Sequence, residues 1–436
     1  MIWVIIGNMR LSGMLLLVPV AVAFAGDWPQ WRGPNRDGVA ETDAPVSWSE
    51  SNITWKTDIP GRGFATPVIA GERIIVTTAI PLSQASSQSD GRRTGPGGGA
   101  GAGVEQQLVV MALDRASGKL LWKQVAKTVM PHEGYHQRYG SFASYAPITD
   151  GKHVWALFGS YGIYCYTLDG KLIWSKDLPS MSMRMAFGEG GSPALAGSKL
   201  ILSLDQESGS YIMVLDKVTG KEIWRKDRDE ISSWSTPYVL KSGDRDLIIV
   251  SATKRVRAYD LETGEVVWEC AGLGANVIPA PVVHKDIVIV MSGFRDPNLL
   301  AIRLGGRGDL TGSSSIVWTN QRGNSYTASP VIQDGKLYVL TDSGTLSCFN
   351  AATGEVYYRQ QRLPKAYNFK ASPVSAGGKL YLATEEGDVV VVKAGEQFEV
   401  LATNSMPDQS FISSPVIVDE TLYLRSQNTL FCIRKN

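Results

Sequence analysis

Short runs of β-branched and aromatic residues recur along the chain, and turn-forming residues separate them. The stretch Ala328–Tyr358 shows the unit most clearly, with the four runs SPVI, KLYVLT, TLSCFN and EVYY. Val, Ile, Tyr and Thr favour a pleated surface, whereas the Gly, Asp and Asn between the runs favour tight turns. Long stretches with apolar residues at helical spacing do not occur. The pattern predicts an all-β chain in which each unit contributes four antiparallel strands.

Each unit opens with the same phrase, a small residue followed by Pro and then by residues that favour strands. The phrase occurs eight times, with Pro67, Pro147, Pro193, Pro237, Pro281, Pro330, Pro373 and Pro415. The differences between neighbouring proline numbers are 80, 46, 44, 44, 49, 43 and 42. A period of about 40–50 residues with four strands per unit is typical of propeller blades. The sequence therefore predicts an eight-bladed β-propeller.

The last unit supplies only three strand-like runs, and the fourth is found near the start of the chain. The run NITWKTDIP, Asn52–Pro60, has the composition of a fourth strand. We expect this N-terminal strand to complete the last blade, because a closed ring leaves no exposed strand edge. The propeller then spans residues 52–436.

A sharper motif marks the turn between the third and fourth strands. It reads ALDRASGKLLW from Ala112, VLDKVTGKEIW from Val214, AYDLETGEVVW from Ala258 and, shortened, LDGKLIW from Leu168. Gly supplies a positive-φ position, Asp caps the turn, and Trp offers a large apolar plate with one N–H donor. The side chains predicted to dock one blade on the next are Trp55, Trp122, Trp174, Trp224, Trp268, Trp318 and Tyr358.

Three segments lie outside the blade pattern. Met1–Ala25 has Arg10 before an apolar run and ends in Ala-Phe-Ala, which predicts a secretory signal peptide, with an uncleaved anchor as the alternative. Residues 26–51 are expected to form an N-terminal cap, or else a docking peptide or lid. Residues 82–103 are rich in Ser, Gln and Gly, which predicts a disordered loop inserted in blade 1.

Charge and cysteine content narrow the class of function. The 43 basic and 42 acidic residues give a net charge of +1, so the chain lacks the basic surplus of nucleic-acid-binding proteins. The apolar run of the leader is too short to span a membrane. We expect the protein to be a monomer. Cys165, Cys348 and Cys432 occupy the same third-strand position in blades that are not neighbours. Together with Cys270 they are predicted to be buried free thiols.

The loops that precede the first strands gather around one mouth of the channel in a ring propeller. Aromatic and charged side chains that converge in such a funnel suit a ligand or cofactor, although they could equally plug the channel. The candidate ligand-binding residues are Arg62, Arg138, Tyr139, Glu189, Trp234, Asn276, Tyr326 and Lys370.

Signs of catalytic or metal chemistry are weak. His132 and His136 flank Glu133, but Pro131 and Gly134 break the helical spacing that would bring them to one face, so we predict no metal site here. Acidic pairs such as Glu385-Glu386 fall in turns and are expected to be solvated. The catalytic residues remain unknown, because the sequence shows no nucleophile-base or paired-carboxylate constellation.

With these motifs in hand, the chain resembles the pyrroloquinoline-quinone-like (PQQ-like) β-propeller repeat proteins. It looks most like their short secreted members from planctomycete-type bacteria. The resemblance covers nearly all of Asp27–Arg434 and rests on the docking motifs, the opening WPQWRGPNRDG, AIRLGGRGDLTG at Ala301–Gly312 and LYLRSQNTLFCI at Leu422–Ile433. It implies the eight-bladed fold and, for quinoprotein members, the cofactors PQQ and calcium.

The resemblance implies either a quinoprotein dehydrogenase or a binding scaffold, and the sequence only partly decides between these two functions. Quinoprotein alcohol dehydrogenases of this fold usually carry a vicinal cysteine pair and often a haem domain, but neither Cys-Cys nor Cys-x-x-Cys-His occurs here. The lean blades look more like those of the outer-membrane assembly factor BamB, a non-enzymatic lipoprotein scaffold, although its lipid-bearing Cys is missing. We therefore expect a periplasmic or secreted scaffold for a protein or carbohydrate partner, with a PQQ- and calcium-dependent oxidoreductase as the alternative.

Overall fold

The computed structural model describes residues 26–83 and 99–435, and it forms one closed ring of eight sheets. Each sheet has four antiparallel strands, in chain order in all but the last sheet, and two sheets gain a fifth, parallel strand at an edge. The predicted eight-bladed β-propeller is confirmed. Within the described residues the helical segments are single 3₁₀ turns, at Glu50–Asn52, Gly159–Tyr161 and Arg184–Ala186.

The first four blades follow one another along the chain. Blade 1 comprises the strands Val68–Ala70, Arg73–Pro81, Gln106–Asp114 and Leu120–Val129. Blade 2 comprises Ile148–Thr149, His153–Leu157, Ile163–Thr167 and Leu172–Lys176. Blade 3 comprises Ala194–Ala196, Lys199–Leu204, Tyr211–Asp216 and Glu222–Asp227. Blade 4 comprises Tyr238–Ser242, Arg245–Val250, Val256–Asp260 and Val266–Cys270, with Gly308–Asp309 added in parallel.

The remaining blades complete the ring. Blade 5 comprises Val282–His284, Ile287–Ser292, Asn298–Arg303 and Ile316–Asn320. Blade 6 comprises Val331–Gln333, Lys336–Leu340, Thr345–Asn350 and Val356–Arg362. Blade 7 comprises Val374–Ala376, Lys379–Ala383, Asp388–Lys393 and Val400–Ser405, with Val39–Ala40 added in parallel. Blade 8 comprises Val416–Val418, Thr421–Arg425, Thr429–Arg434 and the N-terminal strand Ile53–Asp58.

Closure of the ring occurs where the sequence predicted it. Ile53–Asp58 pairs antiparallel with Thr429–Arg434, and Trp55 lies opposite Cys432 in the register. The two ends of the propeller are thereby joined in one sheet, which removes two strand edges. Each phrase proline stands one residue before the first strand of its blade, so the repeat marks where every blade begins.

The core lies between the blades, because the apolar side chains of one sheet pack against the next sheet. One cluster joins blades 2 and 3 through residues such as Trp155, Leu202 and Met213, and comparable clusters lie at the other junctions. The cluster around the closure includes residues of blades 1, 7 and 8 together with Trp28. Stability therefore depends on neighbouring repeats, as expected for an array of stacked units.

Docking aromatics connect the outer edges of the blades. The Trp122 indole N–H donates to the Leu168 carbonyl of the next blade at 2.8 Å, and its ring lies against Gly170. Gly170 has a φ of +83°, and a Cβ there would approach the indole to 2.6 Å, so this turn needs Gly. Equivalent bonds of 3.0–3.2 Å are made by Trp55, Trp174, Trp224 and Trp318.

Two of the seven docking aromatics behave differently. Trp268 is buried beneath the parallel strand Gly308–Asp309, and its indole N–H has no partner in the described residues. Tyr358 is buried against Phe398 of the next blade, and its hydroxyl likewise lacks a partner there. The ring junctions that follow blades 4 and 6 therefore rely on apolar packing without the docking hydrogen bond.

The buried cysteines follow from the same geometry. Three of them, Cys165, Cys348 and Cys432, lie directly across the sheet from a docking aromatic. The same position in other blades holds Ala or Val, so a small apolar side chain fits there opposite the large ring. All four cysteines are buried and unpaired.

The predicted leader, residues 1–25, and most of the predicted Ser/Gly-rich loop, residues 84–98, lie outside the described residues. Both described ends of that loop are bonded, since the Leu82 N–H donates to the Glu105 carbonyl and Ala100 bridges Tyr135. Among the described residues no helix has the length and apolar character needed to cross a membrane.

Candidate functional site

Eight residues that directly precede the phrase prolines form an inner ring around the channel. They are Thr66, Ala146, Ser192, Thr236, Ala280, Ser329, Ser372 and Ser414. At six of these positions the backbone N–H donates to the hydroxyl of the next ring residue, at 2.9–3.2 Å. The bond is missing at Thr66 and Thr236, which are followed by Ala146 and Ala280. The small residue of the repeated phrase therefore links neighbouring blades at the channel wall.

Residues 28–40, here called the plug, cross one end of the channel. Trp28 pairs with Ile69 of blade 1, the Pro29 carbonyl accepts from the Thr149 N–H, and Val39–Ala40 extends the sheet of blade 7. The cap predicted from residues 26–51 thus lies across the channel and contacts several inner strands.

Two arginines hold the plug in place. Arg32 is buried and donates to the carbonyls of Pro330 and Pro373 at 2.5 and 3.0 Å. Arg36 donates to the carbonyls of Leu195 and Val239 on the other side of the ring. Both arginines have a positive φ, +71° and +65°, which is strained backbone that the surrounding contacts maintain. Burial lowers the pKa of Arg32 to about 10, so its guanidinium remains charged at neutral pH.

A cavity of about 150 Å³, the central cavity, lies inside the ring above the plug. Trp31 of the plug forms its floor, and the walls include Phe64, Trp234 and Lys370. Five hydroxyl-bearing ring residues also line it: Thr66, Ser192, Thr236, Ser372 and Ser414. This volume is similar to that of an engineered cavity that holds benzene, about 150 Å³. The predicted funnel therefore narrows to a space for one small molecule.

Residues 130–147, the connector between blades 1 and 2, cover the other end of the channel. Arg62 anchors the connector by donating to the carbonyls of Gly140 and Gln137 at 2.9 and 2.7 Å. Arg138 reaches to Glu385 in blade 7 at 2.9 Å, although Arg138 itself is mostly exposed. These contacts bring residues of blades 1 and 7 together across the channel mouth.

The same contacts surround Lys370 at the cavity wall. Its ammonium group lies 2.8 Å from Asp342 and 4.7 Å from the centre of the Tyr139 ring. It is also 3.8 Å from Glu385, which is buried, so the prediction of a solvated acidic pair was wrong for Glu385, whereas Glu386 is exposed. The reason is that the connector brings Arg138 over the turn. Burial raises the pKa of Glu385, and the two cations oppose that rise.

Asn276 and Tyr326 form a second part of the predicted set. The Asn276 amide donates to the Tyr326 hydroxyl at 3.4 Å, and Asn276 has a φ of +58°. The amide oxygen of Asn276 is buried without a hydrogen-bond partner in the described residues. Tyr326 stacks on Phe294, with ring centres 5.1 Å apart.

Glu189 lies apart from the central cavity, in a side pocket under the connector. Its carboxylate accepts from the Ser160 N–H at 2.8 Å and from the Ser160 hydroxyl at 2.5 Å, while the Tyr145 hydroxyl lies 3.4 Å away. Gly159 allows this approach, because a Cβ there would overlap the carboxylate. Burial raises the pKa of Glu189 to about 7, against the opposing effect of the Ser160 hydrogen bonds.

The two connector histidines separate in the structure. His132 contacts the Met181 carbonyl at 2.9 Å and lies beside Tyr161, whereas His136 stacks on Tyr139. Burial lowers the pKa of His136, as do the charges of Lys370 and Arg138. Each histidine therefore packs against its own aromatic partner.

The residues do not fit the calcium and PQQ that the resemblance implies. In residues 26–83 and 99–435, no three His, Cys, Asp or Glu side chains come together as a metal site would need. Both oxygens of Glu189 are bonded to Ser160, and the cation Lys370 already pairs with Asp342. The central cavity of about 150 Å³, a benzene-sized space, would also hold only part of the tricyclic, three-carboxylate quinone.

Several residues that shape this site were not singled out as ligand-binding candidates. In the sequence, the ring hydroxyls stood out only as small residues before proline. Arg36 stood out only as part of the segment WPQWRGPNRDG. Asp342 and Glu385 looked like ordinary turn residues. Of the eight predicted residues, Trp234 and Lys370 line the cavity, and Arg138 and Tyr139 cover it beside Lys370.

Comparison with known proteins identifies relatives for most of the chain. A family model described as outer membrane protein assembly factor BamB matches residues 106–269, 208–309 and 307–435. The assembly factor BamB of Francisella salina is 32% identical over 98 residues, which are 22% of this chain and 17% of that protein. An uncharacterized protein of Rickettsia conorii is 28% identical over 159 residues, 34% of this chain and 37% of the relative. The chain thus aligns with well under half the length of either relative.

Solved structures show the same architecture at low identity. A europium-containing methanol dehydrogenase superposes with a TM-score of 0.65 and 10% identity, over 94% of this chain and 98% of that chain. At this identity the likeness shows the fold alone.

Proposed function

Because the chain belongs to the family described as outer membrane protein assembly factor BamB, we propose that it is a non-catalytic binding scaffold. Its partner, a protein or a carbohydrate, would be held on the connector face, defined as the surface formed by residues 130–147 and 180–190. The alternative is a quinone- and calcium-dependent oxidoreductase, for which residues 26–83 and 99–435 bring together no cluster of metal-ligating side chains.

The main support for the proposal is Met185, which protrudes from the connector face and has a strained backbone conformation. Its side chain is 55% exposed, and both Met185 and Ala186 have a φ of +51°. The loop is held there because the Arg184 N–H donates to the Ser232 hydroxyl and the Phe187 carbonyl accepts from His136. Strain that the structure maintains around an exposed side chain is typical of functional sites.

The protein partner is favoured by the kind of side chain exposed. Met130, 61% exposed, lies at the start of the connector and gives the same face a second methionine. Methionine adapts to different apolar surfaces and is common where a protein binds other proteins. Exposed apolar residues elsewhere recur at the same position of blades 1, 2, 4 and 6, as Leu120, Leu172, Val266 and Val356, and belong to the repeat.

A photo-crosslinking residue at position 185 tests the proposal. It would be incorporated in residues 26–436, and the protein would be mixed with an envelope extract of the source bacterium. The matched control is position 218, where Val218 is 50% exposed on a turn at the opposite side of the propeller. We expect a discrete protein adduct from position 185 and none from position 218. Equal labelling at both positions, or no adduct at 185, would contradict a partner on the connector face.

The oxidoreductase alternative has its own test. Titration of the purified protein with PQQ and Ca²⁺, followed by calorimetry, should show no saturable binding. Saturable one-to-one binding at micromolar affinity would revive that alternative and overturn the scaffold proposal. A glycan array would test the carbohydrate partner, and selective binding there would shift the proposal from protein to glycan.

Location is part of the same proposal. The apolar run and Ala-Phe-Ala sequence within Met1–Ala25 support export to the periplasm or secretion, where an envelope partner is accessible. N-terminal sequencing of the protein from a periplasmic fraction should give Gly26 as the first residue. A protein that keeps its leader would favour the membrane-anchored alternative.

A further inference from the structure

The central cavity is lined by hydrogen-bond donors whose acceptors are missing. Each of its five hydroxyl-bearing ring residues accepts one backbone N–H, from the preceding ring residue. Within the described parts of the chain, none of these hydroxyls donates a hydrogen bond to another atom. Each O–H therefore remains available to a molecule inside the ring.

Two backbone donors add to this surplus. The N–H groups of Thr66 and Thr236 find no hydroxyl on the next ring residue, because Ala146 and Ala280 stand there. Neither N–H has an acceptor in residues 26–83 or 99–435. Thr66 is buried and Thr236 is half-buried, and a backbone N–H shielded from water without a partner is rare in proteins, so a bound molecule is expected to satisfy these groups.

Four backbone carbonyls next to the ring already accept hydrogen bonds from the plug. The carbonyls of Pro330 and Pro373 accept from Arg32, and those of Leu195 and Val239 accept from Arg36. The plug therefore removes carbonyl acceptors from the channel wall and places two guanidinium groups beneath the cavity floor. The Nε atoms of Arg32 and Arg36 are themselves buried without a partner in the described chain.

Charge favours the same kind of ligand. Arg32 and Arg36 bond to neutral carbonyls, and neither makes an ion pair within the described residues, although the Asp37 carboxylate lies close enough to stabilise the charge of Arg32. Lys370 also lies at the cavity wall, but it is already paired with Asp342 and adds no free positive charge. Water could fill the cavity too, but it would bring protons that need acceptors of their own, and four nearby carbonyls already accept from the plug. An anion accepts hydrogen bonds without donating any, so it matches a donor-rich wall better.

We propose that the central cavity binds a small oxyanion, namely phosphate, sulfate or the carboxylate group of a small organic acid. The ring hydroxyls and the N–H groups of Thr66 and Thr236 would donate to its oxygens, above the Trp31 floor. The volume of about 150 Å³ limits the ligand to roughly the size of a benzene molecule. This site is separate from the partner surface on the connector face and does not depend on the proposed scaffold function.

A pair of serine variants tests the site with a matched control. Ser372 and Ser329 both accept a ring N–H at 2.9 Å, but only Ser372 lines the cavity. Both Ser372→Ala and Ser329→Ala therefore lose one ring hydrogen bond, whereas only Ser372→Ala loses a donor to the ligand. Calorimetric titrations with phosphate, sulfate and acetate, at constant ionic strength in chloride, would compare the three proteins and identify the preferred oxyanion.

We expect saturable one-to-one binding of at least one oxyanion to the intact protein and to Ser329→Ala. Binding to Ser372→Ala should be about tenfold weaker, the usual loss for one hydrogen bond to a charged group. No saturable binding of any of the three anions, or an equal affinity in both variants, would overturn the proposal.

A second measurement remains decisive if Ser372→Ala does not fold. Selenate replaces sulfate in size and charge, and its selenium gives an anomalous X-ray signal. Crystals of the intact protein soaked in selenate should show an anomalous peak inside the ring, above Trp31. A soaked crystal with no peak in the channel would contradict the proposal.

Discussion

The two ends of the propeller channel are closed by the same chain in opposite ways. At one end the plug inserts Arg32 among neutral carbonyls, fully out of water. At the other end the connector is held by Arg62, which is half-buried and also donates to carbonyls, and by Arg138, which is 64% exposed in its pair with Glu385. Buried donors bonded to backbone are costly to lose, whereas exposed ion pairs contribute little. The difference indicates that the plug closes its end of the channel permanently, whereas the connector forms an adjustable surface at the other end.

The largest effect is expected from removing the plug together with the closing strand. A protein lacking residues 26–60 loses the fourth strand of blade 8, so cooperative unfolding should be lost or the Tm should fall by more than about 10 °C. A shorter deletion of residues 26–41 keeps Ile53–Asp58 and should have a smaller effect. Calorimetry would compare the two, and a protein without residues 26–60 that keeps the Tm of the intact chain would refute ring closure.

An arginine-to-methionine substitution in the plug can be compared with the same substitution in the connector. Arg32→Met leaves the Pro330 and Pro373 carbonyls buried without a donor, so the free energy of unfolding should fall by about 3–5 kcal/mol. Arg138→Met removes the mostly exposed partner of the buried Glu385, which still has Lys370 3.8 Å away, so the loss should be smaller, about 1 kcal/mol. Chemical denaturation would measure both, and equal losses would show that the two closures do not differ.

One contribution to the pH dependence of stability comes from Glu189, in the side pocket under the connector. Glu189 titrates at pKa about 7 in the fold but near 4.5 in the unfolded chain, so only the unfolded chain releases its proton between these values. The contribution of Glu189 to the free energy of unfolding is therefore present in full below about pH 4.5 and falls as the pH rises towards 7. Allowing for partial exposure, the loss is about 2 kcal/mol.

The variant Glu189→Gln isolates this contribution. Its amide does not titrate, so the fall in unfolding free energy between pH 4.5 and pH 7 should be smaller than in the intact protein. Denaturation curves at both pH values would give the difference. A fall of the same size in both proteins would mean that Glu189 ionises normally.

The smallest effect is expected for Glu385→Gln. Removal of the carboxylate charge weakens the attachment of the connector through Arg138 and Lys370, but the stability should change by only about 1 kcal/mol or less. The salt dependence of the Tm should become shallower than in the intact protein, because one screened ion pair is lost. An unchanged salt dependence would place the salt-sensitive contacts elsewhere.

The repeat made the fold predictable, since local sequence encodes each blade. The Pro phrase marks every first strand, and the Gly and Trp of the docking turns recur at fixed spacing. The site was only partly predictable, because its contacts join distant residues. Arg32 bonds to Pro330, 298 residues away, and nothing local to Arg32 encodes that carbonyl. Glu385 lies in a turn that looked solvated until the connector of another blade covered it.

Hydrogen exchange followed by mass spectrometry tests the difference between the plug and the connector most directly. Backbone exchange of residues 28–40 and of residues 130–147 would be recorded in low and in high salt. We expect the plug to keep its protection in both conditions, because its bonds involve neutral carbonyls, while the connector exchanges faster in high salt. Equal responses of the two segments would contradict the conclusion that only the connector end is adjustable.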